Sequence, residues 1–225
     1  MKLHHAILTG YTMPCLEGVS TPLEMLIHHA RVSSTANQFN HATGEKLFKS
    51  LIRRKEWSPL EQISLNFEVY TTRDVSQQII RHHSLRIQEY SFRYADAREQ
   101  ECEVRIARLK HDTDRQKSVD VCLSDPRVAI WFEKQRKAYE IAKEAYEWAL
   151  HQGIAKEVAR SVLPLGITTK LYVAGTLRDF YHYCMVRCDE KTQLEHRKVA
   201  ESIRENIYNL FPILREIDHE CKQEN

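Results

Sequence analysis

Fourteen residues, Arg81 to Tyr94, hold three arginines, two histidines, one carboxylate and two serines. Asp74 to Ile80 before them reads as a helix, and from Arg86 the residues alternate in character. In an extended chain successive side chains point to opposite faces. Ile87, Glu89, Ser91 and Arg93 then share one face, and Arg86, Gln88, Tyr90, Phe92 and Tyr94 share the other. A carboxylate, a hydroxyl and a guanidinium in one row could hold a small anionic ligand. The same spacing equally describes an amphipathic strand with a solvated charged face.

Three histidine pairs, His4-His5, His28-His29 and His82-His83, raise the question of a metal. Adjacent residues on a helix point about 100° apart, so such pairs seldom ligate one ion together. No metalloprotease-type His spacing and no Cys-x-x-Cys occurs, so no metal site is expected. The six cysteines, Cys15, Cys102, Cys122, Cys184, Cys188 and Cys221, are expected as reduced, mostly packing thiols. No Gly-x-Gly-x-x-Gly follows a strand, and six glycines provide no phosphate-cradling loop.

The elements that must carry these residues are readable in part. Thr21-Pro22-Leu23-Glu24 is a helix start with a cap, a proline at the first helical position and a capping-box glutamate. A polar link over 33–40 leads to a second helix over 44–54. Ile63, Leu65, Phe67 and Val69 alternate with polar residues as a half-buried strand. Thr72 is placed to cap the helix that delivers Arg81 and His82. Residues 95–127 are charged and poor in large apolar groups, and read as a polar excursion or flexible loop. A long helix follows from Pro126 to His151 with Gly153 as its stop. Its stripe of Ile130, Tyr139, Ala142, Tyr146 and Ala149 is core or subunit interface. Helices over 156–162, 176–186 and 192–210 complete the set, with Pro212 beyond the last. The expected class is α+β: a helix-rich single domain over 1–225 with a small central antiparallel sheet.

At 225 residues the chain can bury a sizeable core. It is 42% hydrophobic and 28% charged, as expected for a domain with much helical surface. A net charge of +2 lacks the basic excess of a duplex-DNA binder, so no nucleic-acid partner is expected. No apolar run is long enough to span a membrane, and the N-terminus lacks a secretory pattern. A cytoplasmic setting is expected, or the host cytoplasm for a virus-encoded chain.

The order Arg81-His82-x-Ser84-x-x-x-Gln88-Glu89-x-Ser91-x-Arg93-Tyr94 resembles the signature of the flavin-dependent thymidylate synthases, in the form seen in viral and phage members. That signature is Arg-His-Arg, seven residues, Ser, and then Arg-Tyr; His83 departs from it. Ala30-Arg31-Val32-Ser33, Trp57-Ser58-Pro59-Leu60-Glu61 and Ala159-Arg160 before Leu163-Pro164 are similar to further family blocks. So are Gly175-Thr176-Leu177-Arg178 with His182-Tyr183 and Arg187, and Gln193-x-Glu195-His196. Residues 95–127 carry no such resemblance.

The resemblance implies a central sheet flanked by helices and assembled as a homotetramer. It implies methylation of dUMP to dTMP, with FAD as cofactor and methylenetetrahydrofolate and NADPH as co-substrates. Flavin chemistry would need no cysteine nucleophile, and Cys15 lacks the pattern of one. Gln78, Arg81, Glu89, Ser91, Arg93, Arg160 and Arg187 fall on the family's nucleotide positions, with Arg187 and Ser91 nearest the chemistry. Ser33, Ser58, Glu61, Arg81, His82, His83, Ser84, Glu89, Thr176, Arg178 and His182 fall on its flavin positions. Two other outcomes are compatible with the residues: a related enzyme that leaves a hydroxymethyl group on the pyrimidine, for which His83 and the bulky Phe92 speak, and a non-catalytic nucleotide-binding paralogue.

Overall fold

A computed structural model describes residues 2–223. Met1 and the side chain of Cys221 lie outside the described residues. The chain forms β1 (His5–Tyr11), α1 (Pro22–Ala30), α2 (Gly44–Arg53), β2 (Ser64–Thr72), α3 (Arg73–Ile79) and β3 (Arg86–Glu89). Then come β4 (Arg108–Lys110), β5 (Ser118–Asp120), α4 (Pro126–His151), α5 (Lys156–Ala159), β6 (Thr168–Thr176), α6 (Leu177–Arg187), α7 (Leu194–Leu210) and α8 (Pro212–Gln223). The class is α+β.

Four strands make one antiparallel sheet in the order β1-β2-β6-β3. Register decides which side chains meet the core. Ala6, Val69, Leu171 and Glu89 form one row across the sheet, and Leu8, Phe67, Val173 and Ile87 the next. Val69, Phe67 and Leu171 are fully buried under helices, as period-2 alternation requires of a sheet with one covered face. Glu89 therefore lies on the apolar face, at its end. The opposite face carries His5, Tyr70 and Lys170 in register, with His5 stacked on Tyr70.

α3, α6 and α7 pack on the covered face, and Phe48 of α2 stacks on Phe211 at the other side of the core. Gly175 is needed where β6 meets α6: a Cβ there would sit 2.9 Å from Leu85. A second, smaller core joins the C-terminal half of α4 to the turn after β3. Tyr146 and Ala149 bury against Phe92 and Ile167, and the Tyr146 hydroxyl accepts from the Ala97 N–H.

Several expectations hold. α1 has its Thr21–Glu24 capping box, and Gly153 follows α4 with φ +73° as its left-handed stop. Others are corrected. β1 and β6 were not foreseen. The alternation from Arg86 ends after Tyr90, because the chain turns at Phe92–Tyr94 and Phe92 swings into the second core. Thr72 sits at the N-cap of α3, yet its hydroxyl makes no cap bond. It donates to Asp74 and accepts from Arg105 instead. Pro212 does not close the last helix but opens α8, as proline at a first helical position permits. Only the C-terminal part of the α4 stripe is core; Ile130, Trp131 and Phe132 are about half exposed.

The excursion at 95–127 is not structureless. Glu103 N–H bonds the Gly166 carbonyl and Thr168 N–H bonds the Glu101 carbonyl, so this segment runs beside the start of β6. β4 and β5 form a hairpin beyond it. Arg105 and Arg108 reach back into the body to Asp74 and Glu195. Sequence composition did not show this because the partners are remote in the chain.

Thr176 is the N-cap of α6: its oxygen accepts from Asp179 N–H at 3.2 Å, and the Asp179 carboxylate accepts from Thr176 N–H at 2.9 Å. Thr176→Ala is expected to destabilise the protein by about 1 kcal/mol. Urea unfolding of the two proteins measures this, and an unchanged midpoint would show that the cap contributes nothing.

Candidate active site

The expected site residues fall into distinct groups. The first surrounds a cleft of about 400 Å³ between α3, the turn after β3 and the segment after α5. Arg73, Phe92, Glu157 and Arg160 line it. Arg73 lies over the Phe92 ring, 5.5 Å from its centre, and pairs with Glu89 at 2.8 Å. Glu89 needs that partner because it ends a strand on the apolar face; Ser76 also donates to it at 2.6 Å. Arg93 pairs with Glu157 at 3.0 Å, while the Arg160 guanidinium is exposed and has no partner among the described residues. Ser91 is half-buried in the turn and accepts from Arg93 N–H at 3.4 Å.

The second group is buried where α3, α6 and α7 converge. Helical spacing of four puts Asp74 and Gln78 on one face of α3, and Tyr183 and Arg187 on one face of α6. His82 follows α3 and turns toward α6. Its ring meets Tyr183 edge to face, and its Nε2 accepts from Arg187 Nε at 2.8 Å. Gln78 donates to Gln193 at 2.7 Å and lies 3.1 Å from His196 Nδ1. The Tyr183 hydroxyl lies 3.0 Å from His196 Nε2. Burial, and then the Arg187 charge, depress the His82 pKa to about 4. Burial with Arg187 and His82 nearby depresses that of His196 to about 3. Both rings are neutral at pH 7.

Asp74 and Glu195 end this network. Burial disfavours their ionised forms, but Arg105 and Thr72 on Asp74, and Arg108 and Gln193 on Glu195, more than offset it. Both carboxyls are held at about 2.

The third group lies beyond the other end of β6. Glu61 and Arg178 form an exposed ion pair, and His182 sits edge-on to Trp57, its pKa lowered by burial and by Arg178. Ser58 is exposed at the start of the 3-10 turn that carries Glu61. Arg81, His83 and Ser84 are exposed in the turn between α3 and β3, with no side-chain partners among the described residues. Ser33 is exposed beside a shallow depression whose loop Arg31 ties together through Asn37 and Thr43. Thr176 spends its hydroxyl on the α6 cap, which explains its conformation without a ligand.

The chain thus brings Arg73, Glu89, Arg93 and Arg160 together, and separately His82, Arg187 and Gln78. It does not bring Ser33 or Arg178 to the arginine cleft. Arg73, Asp74, Tyr183, Gln193, Glu195 and His196 were not singled out as site residues from the sequence. The spacing of four in Asp74–Gln78–His82 and Tyr183–Arg187 was the available signal. Among the described residues no cluster of three or more His, Cys, Asp or Glu could hold a metal ion.

Comparison with known proteins places this geometry. The family model described as Thymidylate synthase complementing protein matches residues 16–213. A probable flavin-dependent thymidylate synthase of Paramecium bursaria Chlorella virus 1 is 39% identical over 207 residues, 92% of this chain and 95% of the relative. A flavin-dependent thymidylate synthase of Synechocystis is 40% identical over 193 residues, covering 85% and 87%. The chain belongs to the flavin-dependent thymidylate synthase family. Its fold is that of a UMP/dUMP methylase PolB from Streptomyces cacaoi, solved with 5-Br dUMP, at TM-score 0.76 and 24% identity over 94% of this chain and 93% of the other.

His82 protonates in the unfolded chain near its ordinary 6.5 but stays neutral in the fold down to about 4. Its contribution to stability is therefore lost as pH falls from about 6.5 to 4. Arg187→Ala removes the adjacent cation and is expected to raise the His82 pKa toward 6.5. Histidine NMR titration of wild type and variant measures this; an unmoved pKa would mean that Arg187 exerts no field on the ring.

Proposed function

We propose that this protein is an FAD-dependent thymidylate synthase that converts dUMP to dTMP, taking its carbon from methylenetetrahydrofolate and its reducing equivalents from NADPH. The observation that carries the reading is the arginine cleft. An unpaired guanidinium, Arg160, stands there with Arg73 over an aromatic floor, and guanidinium groups match phosphate oxygens in geometry and charge. Arg160 and Arg93 hold the phosphate of dUMP, with Arg93 leaving Glu157 to do so. Ser91 and Glu89 hydrogen-bond the nucleotide from the same turn. Arg187 is fixed through its Nε by His82, which leaves its terminal nitrogens for a uracil carbonyl.

The donor set on the flavin side fits an anionic dinucleotide. Arg81 is an exposed cation with no partner, and His83 and Ser84 beside it offer further donors. Ser33, Ser58, Glu61, Arg178 and His182 would hold the remainder of FAD, with His82 next to the reacting centre. When bound, FAD in its reduced form supplies the reducing equivalents. The role of the chain's own residues is to orient the two ligands and exclude water.

β6 spans nine residues, so roughly 27 Å separates the arginine cleft from Arg178 in one protomer. One chain therefore leaves its donors dispersed, and we assign the complete site to a homotetramer in which copies meet. Exposed Ile141, Trp148, Val158 and Val162 support such contacts. The chain acts as one domain, in the cytoplasm; among the described residues no helix is long and apolar enough to cross a membrane. The hydroxymethyl-transfer alternative gains nothing from Phe92, which is buried as the cleft floor.

Titration of the purified protein with FAD is expected to give a bound flavin spectrum and a rise in Tm. Absence of both at saturating FAD would refute the flavin reading. Arg160→Ala is expected to cost about 1.5–3 kcal/mol in dUMP binding, the usual worth of a charge-assisted hydrogen bond. Calorimetry with wild-type affinity in the variant would remove Arg160 from the site.

A further inference from the structure

The segment without family resemblance contacts the site through one partly buried chain of hydrogen bonds, and the direction of every link in it is forced. Arg105 donates to both oxygens of Asp74, at 2.7 and 3.0 Å. Arg108 donates to both oxygens of Glu195, at 2.7 and 2.9 Å. Paired in this way, each carboxyl stays ionised and can only accept. Gln193 lies between them, with its Nε2 3.3 Å from Asp74 and 3.0 Å from Glu195. Its amide nitrogen must face the carboxylates, because a carbonyl oxygen there would be repelled by both.

The rest follows by complementarity. Gln193 Oε1 faces away and accepts from Gln78 Nε2 at 2.7 Å. Gln78 Oε1 is then turned to His196, whose Nδ1 at 3.1 Å must carry the proton. A neutral ring has one donor and one acceptor, so His196 Nε2 accepts from the Tyr183 hydroxyl at 3.0 Å. His196 is fully buried, and no water competes for it. The Tyr183 ring in turn meets His82, which holds Arg187. A flip at any one link would place two donors or two acceptors face to face, at the cost of a buried unsatisfied group.

We infer that Arg105 and Arg108 are positioning residues: by fixing Asp74 and Glu195 as carboxylates they set the amide of Gln193, hence that of Gln78 and the tautomer of His196, and so determine which donor Gln78 presents to the nucleotide. The segment over 95–127 is thus part of the substrate-binding apparatus without touching substrate. This inference rests on the thymidylate synthase reading only for the identity of the nucleotide. Gln78 is half-buried, and its second amide hydrogen is the one left to reach a ligand.

Two measurements test it. With ¹⁵N-labelled histidine, ligand-free wild type is expected to show His196 as the neutral Nδ1–H tautomer from about pH 5 to 8. The charged or titratable neighbours of its ring are Tyr183, Arg187 and His82. Gln193→Leu is expected to abolish the single tautomer. A wild-type Nε2–H tautomer, or an unchanged signature in Gln193→Leu, would overturn the relay. The second measurement is dUMP affinity by calorimetry beside Tm. Arg108→Leu leaves the buried Glu195 with only Arg105, at 4.0 Å, as a cationic neighbour, and should lower both. The double variant Arg108→Leu with Glu195→Leu removes both charges, so Tm should recover. Its dUMP affinity should stay about three- to tenfold weak, because the closer of the two acceptors that fix the Gln193 amide, Glu195 at 3.0 Å, is gone and Asp74 at 3.3 Å holds it alone. A double variant that binds dUMP like wild type would show that Arg108 is structural only. If wild type itself does not bind dUMP, the nucleotide reading fails, and the tautomer measurement still decides the relay.

Discussion

The rest of the structure depends on two carboxylates that the fold removes from most of their water. Asp74 opens α3 and Glu195 opens α7, and each lies where its helix meets the other. Ionised groups at such depth are tolerated only when paired and hydrogen-bonded. Arg105 and Arg108 meet that demand from a segment that is otherwise surface hairpin. The pairing therefore does two things at once. It docks residues 95–127 on the body, and it gives the buried polar network between α3, α6 and α7 a single hydrogen-bonding direction. Asp74 and Glu195 also favour their helices by sitting in the first turn, where the dipole is positive.

The same logic governs Glu89. Sheet register carries it to the apolar face, and Arg73, Ser76 and Thr169 satisfy it there. Arg73 is shared between this carboxylate and the Phe92 ring, so the cleft floor and the strand end are held by one guanidinium. A phosphate in the cleft would meet one arginine, Arg73, already ordered by packing, which lowers the entropic cost of binding. Among the described residues that line the cleft, the Arg160 guanidinium has no ion-pair partner. The two halves of the proposed site thus differ in character: the nucleotide side is braced from within the protomer, whereas the proposed flavin-side donors are spread over exposed turns.

Much of this was legible in the residues themselves. Thr21-Pro22-x-Glu24, Asp125-Pro126 and Gly153 bound their helices by local chemistry alone, since a cap or a left-handed stop needs no distant partner. The alternation of Leu65, Phe67 and Val69 likewise declared a strand with one buried face. The ordered motif from Arg81 to Tyr94 pointed to the family, because a reaction restricts residue types at fixed spacing. What the chain order could not supply was the company each residue keeps. β1 was hidden because it is an edge strand whose sequence mixes faces, and it is a strand only by pairing with β2. Residues 95–127 looked unstructured because their stability comes from Asp74 and Glu195, some 31 and 87 positions away from their arginines. His196 and Gln193 joined the candidate site only when the fold brought them against Gln78. Local signals are decided within one helical turn or one strand pair. Burial and the pairing of charges are decided by tertiary contact, and those contacts set the polarity of this site.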